Sequence, residues 1–250
     1  MRINRYIAVS GLTSRRKADE LIANGKVRVN GILIGKPGYE VEDGDIVEVN
    51  GKQIVINSSE IYLLMNKPVG FVTTVDDEFG RETVMSLLPP SDERVYPVGR
   101  LDMNTSGLLI FTNDGKFSNE LTHPSTHIEK TYKVLCTGII GRREAGILSR
   151  GVDIGDYVTA PCKVNIIKHL KGSSVVEITI HEGKNRQIRR MFKAIGHPVQ
   201  MLERIAIGEV KIGHMPVGTV RKLSEKELAS LKRLINTNRA KAVNRGDDCE

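Results

Sequence analysis

The amino-acid sequence predicts an α+β protein made of a small N-terminal domain and a larger mixed domain. The N-terminal part has two short helical patterns, followed by the hairpin signals Asn30-Gly31 and Asn50-Gly51. After a polar linker near residues 57–59, strand-like and helix-like patterns alternate along the chain. We therefore expect domains at residues 1–58 and 59–236. The polar, aperiodic residues 237–250 are expected to form a disordered tail.

Each domain contains segments whose patterns predict individual elements. Ile3 and Ile7 lie one helical turn apart, and Ser14 can cap a second helix with Ala18, Leu21 and Ile22 on one face. In the larger domain, strands are expected at Ile61–Met65, Gly107–Thr112, Thr131–Thr137 and Val175–His181. Helices are expected at Asn185–Ile195 and Ser224–Ile235, the latter opened by a capping box of Ser224 and Glu227.

Composition indicates where in the cell the protein acts and what kind of partner it can bind. Cys136, Cys162 and Cys249 are too far apart for a CxxC pair or a zinc motif, which indicates reduced cytoplasmic thiols. The N-terminus has no apolar signal region, and apolar runs are too short to span a membrane. We therefore expect a soluble, cytoplasmic protein with no membrane partner. The net charge of +7 is compatible with a polyanionic partner.

Positive charge is concentrated at the start of the chain. Residues 1–36 contain eight Lys or Arg and two acidic residues, whereas residues 37–59 contain one Lys and five acidic residues. Arg15, Arg16 and Lys17 crowd the N-terminus of the second predicted helix, where positive charge opposes the helix dipole. A phosphate backbone would make use of this charge. A basic surface on a small folding domain is the simpler alternative.

The segment "RINRYIAVSGLTSRRKADELIANGKVRVNG" resembles the S4 RNA-binding module, over roughly the first 50 residues. The order of SRRKA, LI and GKVRVNG favours RNA binding over the simpler alternative. The residues expected to contact RNA in this domain are Arg2, Arg5, Ser14, Arg15, Arg16, Lys17 and Arg28.

The segment "PVGRLDMNTSGLLIFTNDG", residues 97–115, places one acidic residue, Asp102, in a glycine-flanked turn before an apolar strand. An aspartate in a turn most often serves only the turn. The segment, however, resembles the signature of bacterial ribosomal RNA pseudouridine synthases of the RsuA/RluB type, which carry an N-terminal S4 domain. That resemblance implies a largely antiparallel catalytic sheet with Asp102 as the catalytic carboxylate. It also implies that Arg100 and Leu101 support the site.

Further blocks follow in the order of this family. "NKPVGFVTT" contains Lys67, and "EKTYKV" contains Lys130 and Tyr132. The resemblance implies that Tyr132 lies against the target base, and both lysines are expected to contact RNA. "HEGKNRQIRRMF" implies that Arg189 pairs with Asp102, keeping it ionised away from water, and that Ile188 packs nearby.

The last block also has helical periodicity. Ile188, Met191, Phe192 and Ile195 share one face of a helix, and the opposite face carries four cations and no acid. These cations are Arg186, Arg189, Arg190 and Lys193. A solvated basic face is the common explanation for such a pattern. Four uncompensated cations favour a face that meets phosphate or pairs with the carboxylate.

The predicted reaction isomerises a uridine of ribosomal RNA to pseudouridine. This reaction requires no redox change, nucleotide hydrolysis or metal, so no cofactor and no metal are expected. His123 and His127 have the spacing of a zinc pair, but Pro124 argues against a continuous helix. Glu182 resembles a second acid, although a role in its turn is favoured.

The expected substrate is ribosomal RNA or a pre-ribosomal particle, 23S rather than 16S, acted on by a monomer. Two alternatives use the same S4-like domain: a non-catalytic ribosome assembly factor and an S4-linked RNA methyltransferase. The methyltransferase would usually need a Gly-rich loop after an early strand, and the sequence has none.

Overall fold

The computed structural model describes residues 1–56, 59–91 and 93–245, with side chains described as far as Ala242. The chain divides into two compact units. The first unit consists of Met1–Ile61, Pro90–Val95 and Thr112–Gly115, and the second consists of the remaining residues. Residues 57 and 58 of the predicted linker lie outside the described residues.

The first unit contains two helices and a four-stranded antiparallel sheet. The elements are α1 (Ile3–Val9), α2 (Arg15–Ala23), β1 (Val27–Val29), β2 (Ile32–Leu33), β3 (Val47–Val49) and β4 (Lys52–Ile54). The strand order is β2-β1-β3-β4. Ser14 caps α2 by accepting a hydrogen bond from the Lys17 amide, as the sequence predicts. Asn30 and Gly31 both have positive φ, which suits the tight hairpin predicted there.

The core of the first unit comes from the predicted apolar faces. Ile3 and Ile7 of α1 and Ala18 and Ile22 of α2 are fully buried. They pack with alternate residues of β1 and β3, namely Val27, Val29, Val47 and Val49. Charged positions of α2 are consequently left on its exposed side.

The second unit is built on a nine-stranded sheet. Its strands are β5 (Tyr62–Lys67), β6 (Tyr96–Val98), β7 (Ser106–Thr112), β8 (Lys130–Thr137), β9 (Lys163–Leu170), β10 (Ser173–Ile180), β11 (Val199–Ile207), β12 (Val210–Lys211) and β13 (Val220–Lys222). Its helices are α3 (Gly115–Thr122), α4 (Arg142–Arg150), α5 (Gln187–Ala194) and α6 (Glu225–Arg245).

The main strand order of this sheet is β13-β5-β7-β11-β8-β10-β9. The β7–β11 pair is parallel, whereas β11–β8, β8–β10, β10–β9 and β5–β13 are antiparallel. The predicted α+β class with a largely antiparallel sheet is therefore confirmed.

Two apolar clusters cover this sheet. In one, Leu64, Leu108 and Ile110 of the sheet pack with α3 and α6. In the other, Val134 and Val176 pack with α4 and α5. The helices therefore bury the apolar faces of β5, β7, β8 and β10.

The prediction of a disordered tail from residue 237 is wrong for residues 237–245, which continue α6. Tertiary contacts explain the longer helix. Asn238 Nδ2 donates to the Thr126 carbonyl at 2.7 Å, Arg239 pairs with Glu120 at 2.6 Å, and Ala242 is fully buried. Residues 246–250 of the predicted tail lie outside the described residues.

Across the described parts of the chain, no helix combines the length and the apolar character needed to cross a bilayer.

Candidate active site

Residues 100–105, which we call the Asp102 loop, are fixed mainly through their backbone. Five consecutive carbonyl groups, those of residues 101–105, each accept a hydrogen bond. The Lys67 ammonium donates to two of them, on Asp102 at 3.2 Å and on Thr105 at 3.0 Å. The other three accept from Thr73 Oγ1 at 2.7 Å, the Gly70 amide at 2.8 Å and Arg189 Nη2 at 2.7 Å. The loop is thus held without using the Asp102 carboxylate.

Lys67 is fully buried at the end of β5. Its ammonium also donates to the Pro68 carbonyl at 2.9 Å, so all three of its protons have acceptors. Burial lowers the pKa of Lys67 to about 8, and the nearby charge of Asp102 opposes that shift. The prediction that Lys67 contacts RNA is therefore wrong, because the ammonium is enclosed beneath the loop.

Gly107 allows β7 to approach β11 closely after the loop. Gly107 lies opposite Arg204 in the parallel pairing, and its φ is 107°. A Cβ atom at this position would lie 2.3 Å from the Arg204 carbonyl oxygen. Only glycine fits at this position. The close contact with β11 thus lies two residues after the end of the Asp102 loop.

Arg189 lies beside the Asp102 loop but does not form the predicted ion pair. Its guanidinium donates to the carbonyls of Asn104 and Val199, at 2.7 and 3.5 Å. Burial and Arg186 lower the pKa of Arg189, and the charge of Asp102 opposes them. Among the described residues no acid lies within ion-pair distance of Arg189. The predicted ion pair between Arg189 and Asp102 is therefore wrong, because backbone carbonyls bind the guanidinium. The two side chains attract each other only at longer range.

A cavity of about 1010 Å³ opens next to the Asp102 loop. Its lining brings together seven of the residues that the sequence predicts for catalysis, site support or RNA binding. They are Arg100, Leu101, Asp102, Lys130, Tyr132, Arg186 and Ile188. Leu101 and Ile188 are buried in its wall, Asp102 and Tyr132 are half-buried, and Arg100 is exposed at its edge. A cavity of this size is large enough for a nucleotide.

Arg190 is not part of a free basic face, contrary to the prediction. It forms an ion pair with Asp156 and donates to the Ile154 carbonyl at 2.7 Å. Asp156, from a loop distant in sequence, therefore neutralises one of the positive charges of the helix. Helical periodicity alone does not reveal such a partner. Arg186 and Lys193 remain exposed. Arg186 caps α5 with φ of 49°, so the helix begins later than the sequence predicts.

Two other polar residues serve turns. His123 accepts from the Ser125 amide at 3.3 Å and caps a short 3₁₀ turn. Glu182 accepts from the Ala160 amide at 2.9 Å and from the Gln187 side chain. Within the described part of the chain, no group of three or more His, Cys, Asp or Glu side chains has the arrangement of a metal site.

Arg204 was not singled out from the sequence. It lies in the middle of β11, is only 5% exposed and lines the cavity. A charged residue at an inward position interrupts the apolar alternation that identifies a buried strand, so the pattern gave no signal.

The first unit presents the cations expected to bind RNA. Ser14 serves the helix cap, and the basic residues are exposed. They are Arg2, Arg5, Arg15, Arg16, Lys17 and Arg28. This surface belongs to a unit whose helices and hairpins match the S4-like prediction.

A basic helix-and-hairpin unit, and a nucleotide-sized cavity lined by Asp102, Tyr132 and several cations, are the features expected of an enzyme that acts on RNA. A family model described as RNA pseudouridylate synthase matches residues 61–194, and the S4 domain model matches residues 1–47. The chain belongs to the RNA pseudouridylate synthase family and is a pseudouridine synthase with an N-terminal S4 domain.

Individual relatives extend over nearly the whole chain. The ribosomal large subunit pseudouridine synthase B of Bacillus subtilis (strain 168) is 40% identical over 235 residues, covering 93% of this chain and 96% of that protein. The dual-specificity RNA pseudouridine synthase RluF of Escherichia coli (strain K12) is 38% identical over 240 residues, covering 95% of this chain and 80% of that protein. A crystal structure of a pseudouridylate synthase is 28% identical with a TM-score of 0.67, covering 92% of this chain and 99% of that one.

Proposed function

We propose that the protein converts a specific uridine of large-subunit ribosomal RNA to pseudouridine, with Asp102 as the catalytic carboxylate. The observation that carries this proposal is the Asp102 loop, in which the carbonyls of residues 101–105 all accept hydrogen bonds while Asp102 lines a nucleotide-sized cavity. The names of the relatives, one of which is a ribosomal large subunit pseudouridine synthase, support ribosomal RNA as the substrate class. We propose that it acts on this substrate in the cytoplasm, as a monomer.

The reaction breaks the N1–C1′ bond of uridine, turns the detached uracil and joins its C5 to C1′. A carboxylate promotes it either as a nucleophile towards the sugar or as a base. The Asp102 side chain makes no hydrogen bond with the described residues, so it is free to reach the substrate. The charges of Lys67 and Arg189 attract it.

The target base must leave its helix to enter the cavity. Unstacking a base costs a few kcal/mol, and stacking on Tyr132 with packing against Ile188 would offset part of that cost. Tyr132 lies on β8, half-buried in the cavity wall, and Ile188 is 3% exposed at the start of α5. We propose that Arg100, Arg186 and Lys193 hold neighbouring RNA, and that Arg2, Arg5, Arg15, Arg16, Lys17 and Arg28 of the S4 domain bind phosphates.

The proposal is tested by mapping pseudouridine in ribosomal RNA from cells with and without the gene. One uridine of the large-subunit RNA should lose its modification, and the wild-type gene should restore it. The Asp102→Asn gene should not restore it, whereas Asp43→Asn, an equal charge change on the exposed S4 surface, should. If the deleted strain keeps every pseudouridine of its ribosomal RNA, the proposal is contradicted. If only 16S RNA loses a pseudouridine, the substrate is the small-subunit RNA and the proposed large-subunit substrate is wrong.

A further inference from the structure

Arg204 is a buried cation with unused hydrogen-bonding capacity. Its Nε donates to the Leu108 carbonyl at 2.8 Å, and its Nη2 has no partner among the described residues. The side chain is 5% exposed and lines the cavity. Leaving a charged donor unsatisfied in a buried position costs more free energy than leaving a neutral one. Such an atom therefore points to a ligand that is polar or negatively charged.

Lys130 provides a second cation at the same place. It is half-buried, lines the cavity and has no acidic partner among the described residues. Burial and the charge of Arg204 lower its pKa to about 8. Two cations that repel each other within a partly dry cavity are stabilised when an anion lies between them.

The sheet places both cations around Tyr132. Arg204 lies directly opposite Tyr132 in the antiparallel pairing of β11 with β8. Lys130 precedes Tyr132 by two residues, so it projects from the same face of β8. The three side chains thus line one wall of the cavity, close to where the target nucleotide would stack.

The other two cations near the Asp102 loop, Lys67 and Arg189, do not line the cavity, although Arg189 Nε, like Arg204 Nη2, has no partner among the described residues. Lys67 donates to three carbonyls and Arg189 to two. Those two side chains therefore act on the loop. Lys130 and Arg204 line the cavity, and no described residue accepts a hydrogen bond from the Lys130 ammonium or from Arg204 Nη2.

We propose that Lys130 and Arg204 form an oxyanion site in the cavity that binds a negatively charged oxygen of the target nucleotide. The assignment rests on the proposed function. The oxygen belongs either to the phosphate group of that nucleotide or to the detached uracil, whose N1 charge is shared with its O2 and O4. Both sources present the same chemistry to an ammonium and a guanidinium.

The two sources are distinguished with two RNAs. One is the ribosomal RNA fragment that the wild-type enzyme modifies, and the other is the same fragment with an abasic site at the modified position. Kd and the single-turnover rate are measured for the wild type, Lys130→Met and Arg204→Gln. A phosphate ligand predicts Kd values roughly tenfold or more higher on both RNAs, because a charge-assisted hydrogen bond is lost. The salt dependence should also weaken by about one phosphate contact.

If the ligand is the detached uracil, both variants should bind the abasic RNA with unchanged Kd. Their single-turnover rate on the uridine RNA should be lower by roughly 10²- to 10³-fold, as expected when one oxyanion donor is lost. Lys130→Arg keeps the charge and should recover most of the lost function. Lys133→Met is the matched control, since Lys133 is exposed on the opposite face of β8. Thermal melting of each variant identifies any loss that comes from unfolding.

Wild-type values of both Kd and rate in Lys130→Met and in a folded Arg204→Gln would overturn the oxyanion site. That result is separate from failure of the proposed function, in which the wild-type enzyme itself forms no pseudouridine in ribosomal RNA.

Discussion

Lys67 stabilises the candidate active site from beneath, in a position where its charge cannot reach solvent. Three carbonyl acceptors surround its ammonium, and two of them belong to the Asp102 loop. The sequence shows the lysine but not its burial, because lysine is almost never fully buried and its motif precedes an exposed loop. Its position depends on which backbone carbonyls converge on it, and this is a property of the folded chain.

Replacing Lys67 with Met should destabilise the second unit and loosen the Asp102 loop. The substitution preserves volume but leaves three carbonyls without their charged donor, so we expect a loss of about 2–4 kcal/mol in the free energy of unfolding. Urea denaturation measures this loss, with Lys193→Met as an exposed control. A loss below about 0.5 kcal/mol would show that the hydrogen bonds to Lys67 do not hold the loop.

Lys130 should make stability depend on alkaline pH. Its pKa is lowered from 10.5 to about 8 by burial and by Arg204 of β11, so the folded protein releases the proton before the unfolded chain does. The free-energy cost of burying the charged Lys130 ammonium is present in full below pH 8. It decreases as the pH rises from 8 to 10.5, because the folded protein is then deprotonated at Lys130. The wild type should therefore gain stability relative to Lys130→Met across that window.

The gain should be at most on the order of 1 kcal/mol per pH unit, because the side chain is only partly shielded from water. Urea denaturation of both proteins at pH 7 and pH 9.5 measures the difference. If the unfolding free energies of the wild type and Lys130→Met differ by the same amount at both pH values, a lowered pKa for Lys130 is contradicted.

At the scale of elements, the sequence predicts those whose patterns are local. β5, β7, β8 and β10 appear near the predicted positions, because apolar runs bounded by turn residues identify buried strands. β9 and β11 were not predicted. β9 lies at the sheet edge with most of its side chains exposed, and β11 carries Glu203 and Arg204 inside an apolar run.

Helix ends depend on contacts that the sequence does not show. α5 begins at Gln187 rather than Asn185, because Arg186 adopts a left-handed conformation. α6 continues beyond Ile235 because Asn238 binds the Thr126 carbonyl of a distant turn. For α6, a tertiary interaction therefore extends the helix beyond the length that local propensity predicts.

The close approach of β7 to β11 should make Gly107 irreplaceable. In Gly107→Ala the added methyl group would overlap the Arg204 backbone, so we expect a loss of roughly 3 kcal/mol or more in stability. Gly213→Ala is a matched control, with positive φ but no atom within 4 Å of the added Cβ, and should cost only about 1 kcal/mol. Chemical denaturation compares the two, and equal losses would show that the β7–β11 contact is not crowded.

For the whole molecule, positive charge is the property that composition predicts best. The net charge of +7 and the concentration of cations in residues 1–36 are compatible with a polyanionic partner. The path of the chain decides which cations are available. Lys67 is enclosed and Arg190 is paired with Asp156, whereas Arg15 and Arg16 are exposed.

Arg15 and Arg16 should contribute to RNA affinity without contributing to the chemical step. The double change Arg15→Ser and Arg16→Ser should weaken binding and reduce the slope of log K against log salt by about 1 to 2. The single-turnover rate at saturating enzyme should stay near that of the wild type. Lys52→Gln, in the acidic half of the S4 domain, serves as the control. An unchanged salt slope would show that the basic helix does not meet phosphates.

The sequence predicted several residues that line the cavity, but it did not predict the contacts that they make. Resemblance to the family identified Asp102, Tyr132 and Ile188, and all three line one cavity. The predicted pairing of Arg189 with Asp102 was wrong, and Arg204 was missed. Both depend on which backbone carbonyls each guanidinium meets after folding.

The central claim is tested most directly by single-turnover release of tritium from ribosomal RNA labelled at C5 of uridine, using Asp102→Asn. This variant removes the charge and no hydrogen bond of the described chain, so the protein should fold, bind RNA with near wild-type Kd and release no tritium. Release at a rate close to that of the wild type would contradict the assignment of Asp102 as the catalytic carboxylate.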